Sequence, residues 1–533
     1  MLDPVTIEIL WSRITSIVDE AAKVIVRTAF STLSNEANDF ACVLTDENGH
    51  SIAQNTGSIP SFIGTLPATV RHFLAEIGPG TPDGDMQEGD VYITNNPWQG
   101  TGHLPDVCLV RPIFHAGRLV AFSAACSHVP DIGGQVRSVE PREVFEEGFH
   151  IPLMRFIRAG EPDRTLLKLL RTNVRTPDQT VGDIWALAGA VELMDRRLAT
   201  TLYEYGLADV RELADELFTR SEAAMRAAIR SLPEGIRRYQ FDTDGLAEPF
   251  HFAVTLTVKD GEITADYTGS SQQQPRAINC PFTYTYAMTA YAVKCALLPN
   301  LPNNEGMFRP IKVTAPEGSI LNPSFPIAVG GRAATGHYVP VLVFGALAQV
   351  LPERIMAAAG SPLWILTLAG RRGKATWASV LFHNGGLGAR PGRDGVNCLS
   401  WPSNISSTPV EVAERQNPVF IRHKRLRPGS GGTGRYRGGL GQDIAIDIES
   451  EDEIAALFVV ERTKFAAPGL SGGGAGGLGF VRINGSDVDA RRPHFVRRGD
   501  SIEIGTPGGG GFGPPSERDA AATARDVVLG YVK

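Results

Sequence analysis

Residues 103–131 read HLPDVCLVRPIFHAGRLVAFSAACSHVPD, and this stretch predicts the centre of the fold. Two runs rich in apolar and β-branched residues, 107–114 and 119–127, flank a short segment that contains glycine at position 117. Two such runs with a short glycine-containing connection are typical of a β-hairpin. We therefore predict an antiparallel hairpin with a four-residue turn at 115–118.

The same four-residue pattern, His-x-Pro-Asp, occurs at both outer ends of this hairpin, at 103–106 and at 128–131. With the turn centred between positions 116 and 117, Asp106 is predicted to face Ser127, and Pro105 to face His128. Opposed and diagonal side chains of paired strands are close enough to touch. The pattern therefore predicts that two histidines and two aspartates gather in one small patch.

The predicted patch suits a metal ion. Two neutral imidazoles and one carboxylate form a ligand set that leaves coordination positions open, and Mn, Fe and Zn all accept it. Such an ion lowers the pKa of a bound water. Strict strand alternation places His103 and Asp106 on opposite faces, so the chain must bend at Pro105. Histidines that only hydrogen-bond within the fold are the alternative that the residues alone leave open.

Composition excludes several classes of function. The chain has 533 residues with 51 Lys and Arg against 58 Asp and Glu, a net charge of −7 that argues against nucleic-acid binding. No apolar run approaches the roughly 20 residues that a membrane span needs. The six cysteines are scattered and no signal peptide precedes them, which favours a reducing compartment. We expect a cytoplasmic protein that does not enter a membrane.

The order of patterns predicts an α+β fold in three regions. Region 1–235 is predicted to hold the hairpin, an opening helix capped by Asp3 and Pro4, strands at 40–45 and 90–94, and a helical segment from 164 to 232. Region 236–350 is predicted to mix strands with helices near 281–298 and 338–351. Region 351–533 is predicted to be β-rich, with glycine clusters at tight turns.

Four further features have competing interpretations. Asp39 lies at a helix-to-strand junction, where capping is favoured over a role as general base. Arg332 lies in a glycine-flanked stretch, and a solvated surface arginine is favoured over a contact to phosphate or carboxylate. The glycine clusters contain no phosphate-loop motif, so we expect that this chain does not bind ATP itself. A structural role is favoured for His72, His115, His150, His337 and His383.

Taken together, these segments resemble the hydantoinase B/oxoprolinase family, to which acetone carboxylase α subunits are related. The resemblance covers roughly residues 3 to 530. It is carried by 34–40, 95–107 and 127–134, with further matches at 322–323, 388–392, 430–441 and 506–513.

The resemblance implies a function and a partner. The chain is expected to be the hydrolytic, B-type subunit of an ATP-dependent amidohydrolase that opens a cyclic amide such as hydantoin, 5-oxoproline or a larger lactam. An A-type partner subunit with a sugar-kinase fold is expected to phosphorylate the carbonyl oxygen with ATP and Mg²⁺. The two subunits are expected to form a hetero-oligomer.

The resemblance also implies roles for residues of this chain. His103, Asp106 and His128 correspond to metal ligands for Mn, Zn or Fe. Asp39 matches an acidic position that suits a general base. Asp131 is expected to be a second catalytic carboxylate or an alternative ligand.

The sequence departs from the family pattern close to these positions. The family commonly has Asn-Asp-Pro-Tyr and Gly-Gly-Thr-His where this chain has 95–98 and 100–103, so Asn96, Trp98 and Gly102 differ. We take this as a sign of a different substrate and count Asn96, Trp98 and Arg332 as candidate substrate-binding residues. Two alternatives stay open, a subunit of an ATP-dependent ketone carboxylase and a non-catalytic scaffold for the ATPase subunit.

Overall fold

Helices and four β-sheets alternate along the part of the chain that the computed structural model describes, residues 2–82, 84–135, 138–373 and 375–532. The helices in this part are α1 (Pro4–Thr28), α2 (Thr32–Asn35), α3 (Phe62–Ile77), α4 (Val144–Glu147), α5 (Arg164–Asn173), α6 (Pro177–Glu204), α7 (Arg211–Arg230), α8 (Phe282–Leu297), α9 (Glu305–Phe308), α10 (Arg332–Gly336), α11 (Val339–Leu347), α12 (Val410–Gln416) and α13 (Ala520–Val528).

The strands fall into an N-terminal set, a middle set and a C-terminal set. The N-terminal strands are β1 (Phe40–Asp46), β2 (Ser51–Gln54), β3 (Val91–Thr94), β4 (Asp106–His115), β5 (Arg118–His128), β6 (Met154–Arg158) and β7 (Glu161–Pro162). The middle strands are β8 (Gly235–Thr243), β9 (Phe250–Lys259), β10 (Glu262–Asp266) and β11 (Ile311–Thr314). The C-terminal strands are β12 (Trp364–Arg372), β13 (Ala375–His383), β14 (Val419–Leu426), β15 (Gln442–Ile448), β16 (Ile454–Val459), β17 (Phe480–Ile483), β18 (Ser486–Asp487), β19 (His494–Val496) and β20 (Ser501–Gly505).

The largest sheet is antiparallel and has the order β2-β1-β5-β4-β3-β6-β7. Helices α1 and α6 pack on one face and α3 on the other, so all seven residues of β1 are buried. Burial on both faces explains why β1 and β5 have continuous apolar runs instead of alternating ones. The other sheets have the orders β11-β10-β9-β8, β13-β12-β16-β19 and β14-β15-β20-β17-β18.

The hairpin formed by β4 and β5 confirms the predicted antiparallel pairing but not its register. The turn has two residues instead of four, Ala116 and Gly117, with φ of 50° and 75°, as a two-residue hairpin turn requires. A bulge between Ile113 and Phe114 then shifts the pairing by one position. Asp106 therefore pairs with His128, whereas the sequence predicted Ser127 opposite Asp106 and Pro105 opposite His128.

The opening helix agrees with its prediction. The carboxylate of Asp3 accepts hydrogen bonds from the backbone N–H groups of Val5 and Thr6, and Pro4 occupies the first helical position. The buried residues of α1 follow the predicted apolar spacing and are Ile7, Leu10, Ile14, Ile17, Val18, Ala21 and Ile25. The helical segment after residue 164, α8 and α11 likewise confirm predicted helices.

The late glycine clusters are not mainly turns. Segments 385–388, 431–439, 473–476 and 508–511 lie side by side, and their backbones hydrogen-bond to one another over long sequence separations. Gly509, for example, accepts from Gly432 and donates to Gly439. A Cβ on Gly509 would lie 2.2 Å from the carbonyl oxygen of Leu387, so this close backbone packing requires glycine. We call these four segments the glycine-packed region.

The α+β fold class is confirmed, whereas the three-region division at 235 and 350 stays a prediction. One apolar core cluster includes residues from all three predicted regions, such as Leu66, Met288 and Phe382. None of the helices in the described part of the chain is long and apolar enough to cross a membrane.

Candidate metal centre

Three buried side chains meet where β4 begins and β5 ends. One ligand atom from each of His103, Asp106 and His128 lies within 4.8 Å of the other two. Oδ1 of Asp106 is 2.8 Å from Nε2 of His103 and 3.1 Å from Nδ1 of His128. All three residues are at most 3% exposed, so the donor atoms are shielded from bulk water.

The hairpin and one turn bring these residues together. Asp106 is the first residue of β4 and pairs directly with His128, the last residue of β5. His103 lies in the turn before β4, where its carbonyl oxygen accepts from the N–H of Asp106 at 3.3 Å. The sequence predicted a bend at Pro105, and this turn provides it. Because His103 lies in the turn and not in the strand, strand alternation does not place it on the face opposite Asp106.

The second oxygen of Asp106 is held by other groups. Thr101 Oγ1 donates to Oδ2 at 2.6 Å, and the Arg332 guanidinium donates to the same oxygen. Arg332 also donates through Nε to the carbonyl oxygen of Thr101 at 2.7 Å, and its guanidinium carbon lies 4.4 Å from the centre of the Tyr284 ring. Oδ1 is therefore the oxygen that faces both imidazoles.

Gly102 makes room for this arrangement. Its φ is 101°, and a Cβ at this position would lie 2.6 Å from Cδ of Arg332. The departure from the family pattern at position 102 therefore coincides with the close approach of Arg332.

Burial and charge set the protonation of the cluster. Burial lowers the pKa of His103 to about 3, and the positive charge of Arg332 acts in the same direction, so the imidazole is neutral near pH 7. Burial alone would raise the pKa of Asp106, but the Arg332 guanidinium beside it holds that pKa well below the ordinary value. The cluster thus presents two imidazoles and an ionised carboxylate.

The chemistry of this donor set fits a divalent transition-metal ion. His103 Nδ1 lies 3.0 Å from the carbonyl oxygen of Gly330, which fixes the tautomer with a lone pair on Nε2. Nε2 makes no hydrogen bond within the described part of the chain, although it is buried. Ligands at right angles around an ion with bonds of ~2.1 Å are ~3 Å apart, close to the two distances measured from Asp106 Oδ1.

Two small cavities adjoin the cluster. One, of about 30 Å³, is lined by all three candidate ligands together with Asp39, Tyr284, Arg332 and His337. The other, of about 60 Å³, touches His128 and Gly330 and is largely apolar, with Val380 and Ala378 among its walls. Together they leave room for water and for part of a small molecule beside the donor atoms.

The structure brings Asp39 to the cluster. Its Oδ2 lies 4.0 Å from His128 Nδ1, and the residue is 7% exposed and lines the smaller cavity. Its backbone carbonyl accepts from the N–H of His128, which ties the end of β5 to the start of β1. The residues alone favoured capping for Asp39, and its role as a general base stays a prediction.

The structure does not bring three other predicted site residues into the cluster, namely Asp131, Asn96 and Trp98. The Asp131 carboxylate binds the guanidinium of Arg175 at 2.7 Å and lines the larger cavity. Asn96 accepts from the backbone N–H of Trp98 within a local turn. Trp98 donates to the carbonyl oxygen of Pro323. Their predicted catalytic and substrate-binding roles stay predictions.

One interpretation from the sequence fails and two contributors were missed. Arg332 is not a solvated surface residue, because it is 5% exposed and pairs with Asp106. His337, for which a structural role was favoured, lines the cavity of the cluster and accepts through Nδ1 from the backbone N–H of Leu363. Its role stays a prediction. Thr101 and Tyr284 were not singled out, although Thr101 directly precedes Gly102 and His103. Tyr284 follows from no local pattern, since it comes from helix α8.

Comparisons with known proteins agree with this architecture. A relative from Pseudomonas sp. (strain NS671), described as the putative B subunit of a D-/L-hydantoinase, is 28% identical over 557 residues, covering 100% of this chain and 93% of that protein. The crystal structure of ATP-dependent caprolactamase from Pseudomonas jessenii superposes with a TM-score of 0.90 at 25% identity, covering 100% and 95% of the two chains.

A nucleotide-free structure of acetone carboxylase has the same fold. It superposes with a TM-score of 0.88 at 19% identity and covers 99% of this chain and 78% of the other. The pattern of the family described as hydantoinase B/oxoprolinase matches residues 3–515. The chain therefore belongs to the hydantoinase B/oxoprolinase family.

Proposed function

We propose that this chain is the hydrolytic subunit of an ATP-dependent amidohydrolase that opens a cyclic amide. The observation that carries the proposal is the buried cluster of His103, Asp106 and His128 in a chain of this family. Relatives named as part of a hydantoinase and as an ATP-dependent caprolactamase support ring opening of a cyclic amide in particular.

In this proposal His103 Nε2, His128 Nδ1 and Asp106 Oδ1 hold a divalent ion, with Mn, Zn and Fe as candidates. A bound ion of this kind polarises a substrate oxygen or lowers the pKa of a bound water. Arg332 and Thr101 bind the other oxygen of Asp106 and so keep Oδ1 directed at the two imidazoles.

Asp39 is proposed as the general base. A carboxylate that lines the cavity within 4.0 Å of a ligand imidazole is in reach of a water at the cluster, directly or through one more water. Asp39 would accept a proton from the water that adds to the ring carbon and return it to the ring nitrogen as the ring C–N bond breaks. The resulting acyl phosphate would be hydrolysed by a second water to the carboxylate and inorganic phosphate. The apolar cavity beside His128 offers a place for the methylene groups of the ring.

A partner ATPase is part of the proposal. An unstrained cyclic amide is a poor electrophile, and phosphorylation of its carbonyl oxygen by an A-type ATPase with ATP and Mg²⁺ would provide a leaving group. The hydantoinase relative is named as one component of a multi-subunit enzyme, which supports a hetero-oligomer of this kind. This chain's own sequence has no phosphate-loop motif.

The experiment compares wild type, His103→Ala and His115→Ala, each with the co-expressed partner. We expect His103→Ala to lose stoichiometric metal and ring opening, while ATP-dependent phosphorylation by the partner persists. His115 lies at the end of β4 near the hairpin turn, so His115→Ala should retain metal and activity. Full ring opening by a metal-free His103→Ala complex would refute the proposal.

The same preparation separates the alternatives. A requirement for bicarbonate with a ketone substrate would identify a carboxylase subunit. Absence of stoichiometric metal in the wild-type complex, measured by elemental analysis, would favour a scaffold.

A further inference from the structure

The cavity at the candidate metal centre is too small for the proposed substrate. The volume that the three candidate ligands line is about 30 Å³ and holds one or two water molecules, and the apolar cavity beside His128 adds only about 60 Å³. The smallest cyclic amides have several times as many heavy atoms. Because the cavity is enclosed by buried residues, some part of its wall must move before a ring can enter.

A surface cleft lies on the other side of one wall. It has a volume of about 490 Å³, within the usual range for small-molecule sites. Its walls come from helix α1, helix α8 and three further stretches, residues 53–60, 299–303 and 399–404. Three aromatic side chains, Trp11, Tyr291 and Trp401, form part of its lining.

Two short segments, 57–61 and 400–406, separate the cleft from the cavity, and we call them the partition. Alternate residues of each segment line opposite sides. Those that line the cavity are Ile59, Ser61, Ser403 and Ile405. Those that line the cleft include Ser58, Pro60, Pro402 and Asn404. The partition is therefore a single layer of chain.

Few polar contacts hold the two segments of the partition together. Asn404 Nδ2 donates to the carbonyl oxygen of Gly57 at 3.0 Å, and both residues are exposed. Segment 400–406 is also tied to residues outside the partition, because the N–H of Ser406 donates to the carbonyl oxygen of Ala37 at 2.9 Å and Asn38 Nδ2 donates to Ser406 Oγ at 3.4 Å. Ser58 Oγ is buried without a hydrogen-bond partner in the described part of the chain, which makes the closed arrangement less favourable.

The lining of the cleft fits an uncharged or anionic polar ring. Among the described residues that line it, Lys294 is the charged one and none carries a carboxylate. The amide of Asn303 donates through Nδ2 to Gln54 Oε1 at 3.3 Å, and its Oδ1 is buried without a hydrogen-bond partner in the described part of the chain. An acceptor oxygen of this kind suits the N–H group of a cyclic amide.

We propose that this cleft is the binding site through which a cyclic amide, or its phosphorylated form, enters the metal centre when the partition opens. The proposal rests on the proposed function for the identity of the ligand. The opening of the partition can be tested without any assumption about catalysis.

Hydrogen–deuterium exchange of the full chain tests the opening. We expect amides in 400–406 to exchange at least tenfold faster than those of β1. Asn404→Ala should speed exchange in both partition segments by about two- to tenfold, the range for loss of one hydrogen bond. Asn300→Ala, at an exposed asparagine of the same cleft, is the matched control and should change neither. Protection of 400–406 equal to that of β1 would overturn the proposal.

A second experiment tests the route. The chain is loaded with Co²⁺, and the on-rate of acetohydroxamate, a small metal ligand, is followed by visible absorption. Thr15→Trp places a bulky ring in the cleft and should lower the on-rate at least tenfold, whereas Ser16→Trp, on the same helix but outside the cleft, should not. Equal on-rates would refute the route. Failure of wild type to bind Co²⁺ would refute the metal site instead, and the exchange experiment would still decide whether the partition opens.

Discussion

Replacing Asp106 with asparagine should remove two separate contributions of one carboxylate. Oδ1 faces the two imidazoles of the cluster, whereas Oδ2 accepts from Arg332 and Thr101. Asp106→Asn should therefore abolish metal binding and also leave the buried guanidinium of Arg332 without its counter-charge. Asp106→Asn combined with Arg332→Met removes both charges and keeps an unbranched side chain against Tyr284.

The magnitudes of the two effects differ. Removing one partner of a buried ion pair costs about 3–5 kcal/mol, whereas replacing both partners with groups of similar size is often close to neutral. Arg332 is 5% exposed and Asp106 is 1% exposed, so solvent screens this pair little. The double variant should thus recover at least about 2 kcal/mol of the stability that Asp106→Asn loses. It should recover none of the metal binding.

Urea unfolding midpoints should be measured with a chelator present, because bound metal would itself stabilise the folded state. The midpoints then report the effect of the ion pair on stability without a contribution from metal. Elemental analysis of the same variants without chelator reports the metal. A chain of this size need not unfold in a two-state transition, so the variants are compared by their urea midpoints and not by extrapolated free energies of unfolding. Coincident midpoints for the single and double variants would refute the ion-pair argument. Stoichiometric metal in Asp106→Asn would refute the assignment of Asp106 as a ligand.

Two further predictions concern regions away from the metal centre. Burial raises the pKa of Glu461 from 4.5 to about 8, with Asp244 acting in the same direction. Between these pH values the folded state binds more protons than the unfolded state, so this group makes stability fall as pH rises. Glu461→Gln should therefore flatten the fall in urea midpoint between pH 5 and 8. An unchanged slope of midpoint against pH would contradict this. Gly509→Ala should lower the free energy of unfolding by about 3 kcal/mol or more, because its Cβ would meet the Leu387 backbone. The Cβ of Gly189→Ala, within α6, would meet only Val24 at 3.7 Å, so this variant should raise the free energy of unfolding by up to about 1 kcal/mol. Similar expression and melting temperatures for the two glycine variants would show that the glycine-packed region tolerates side chains.

Local pattern was enough to predict the hairpin and the residues at its ends. Apolar runs and a glycine turn determine antiparallel pairing, and the repeated His-x-Pro-Asp segments identify the candidate ligands. The register was wrong because a bulge between Ile113 and Phe114 leaves no local signature in composition. Its effect is large, since the shift by one residue makes Asp106 and His128 direct partners.

The position of Arg332 could not be predicted for a different reason. It is 226 residues from Asp106 in sequence and reaches the cluster from helix α10. A short helix flanked by glycines gives no sign of which distant carboxylate its side chain will meet. Gly102 was the available clue, because a residue without a side chain next to a predicted ligand leaves space for the close approach of another group.

The charge of the cavity supports a substrate that carries negative charge. The carboxylates and the guanidinium that line it belong to Asp39, Asp106 and Arg332, whose formal charges sum to minus one when the histidines are counted as neutral. A divalent cation would change this sum to plus one. Uncompensated charge in a buried site is costly, so the loaded site would favour an anionic ligand or a hydroxide. A carbonyl-phosphorylated ring supplies such an anion, whereas the unmodified ring does not. On this argument, activation by the partner would increase binding at the metal centre as well as reactivity.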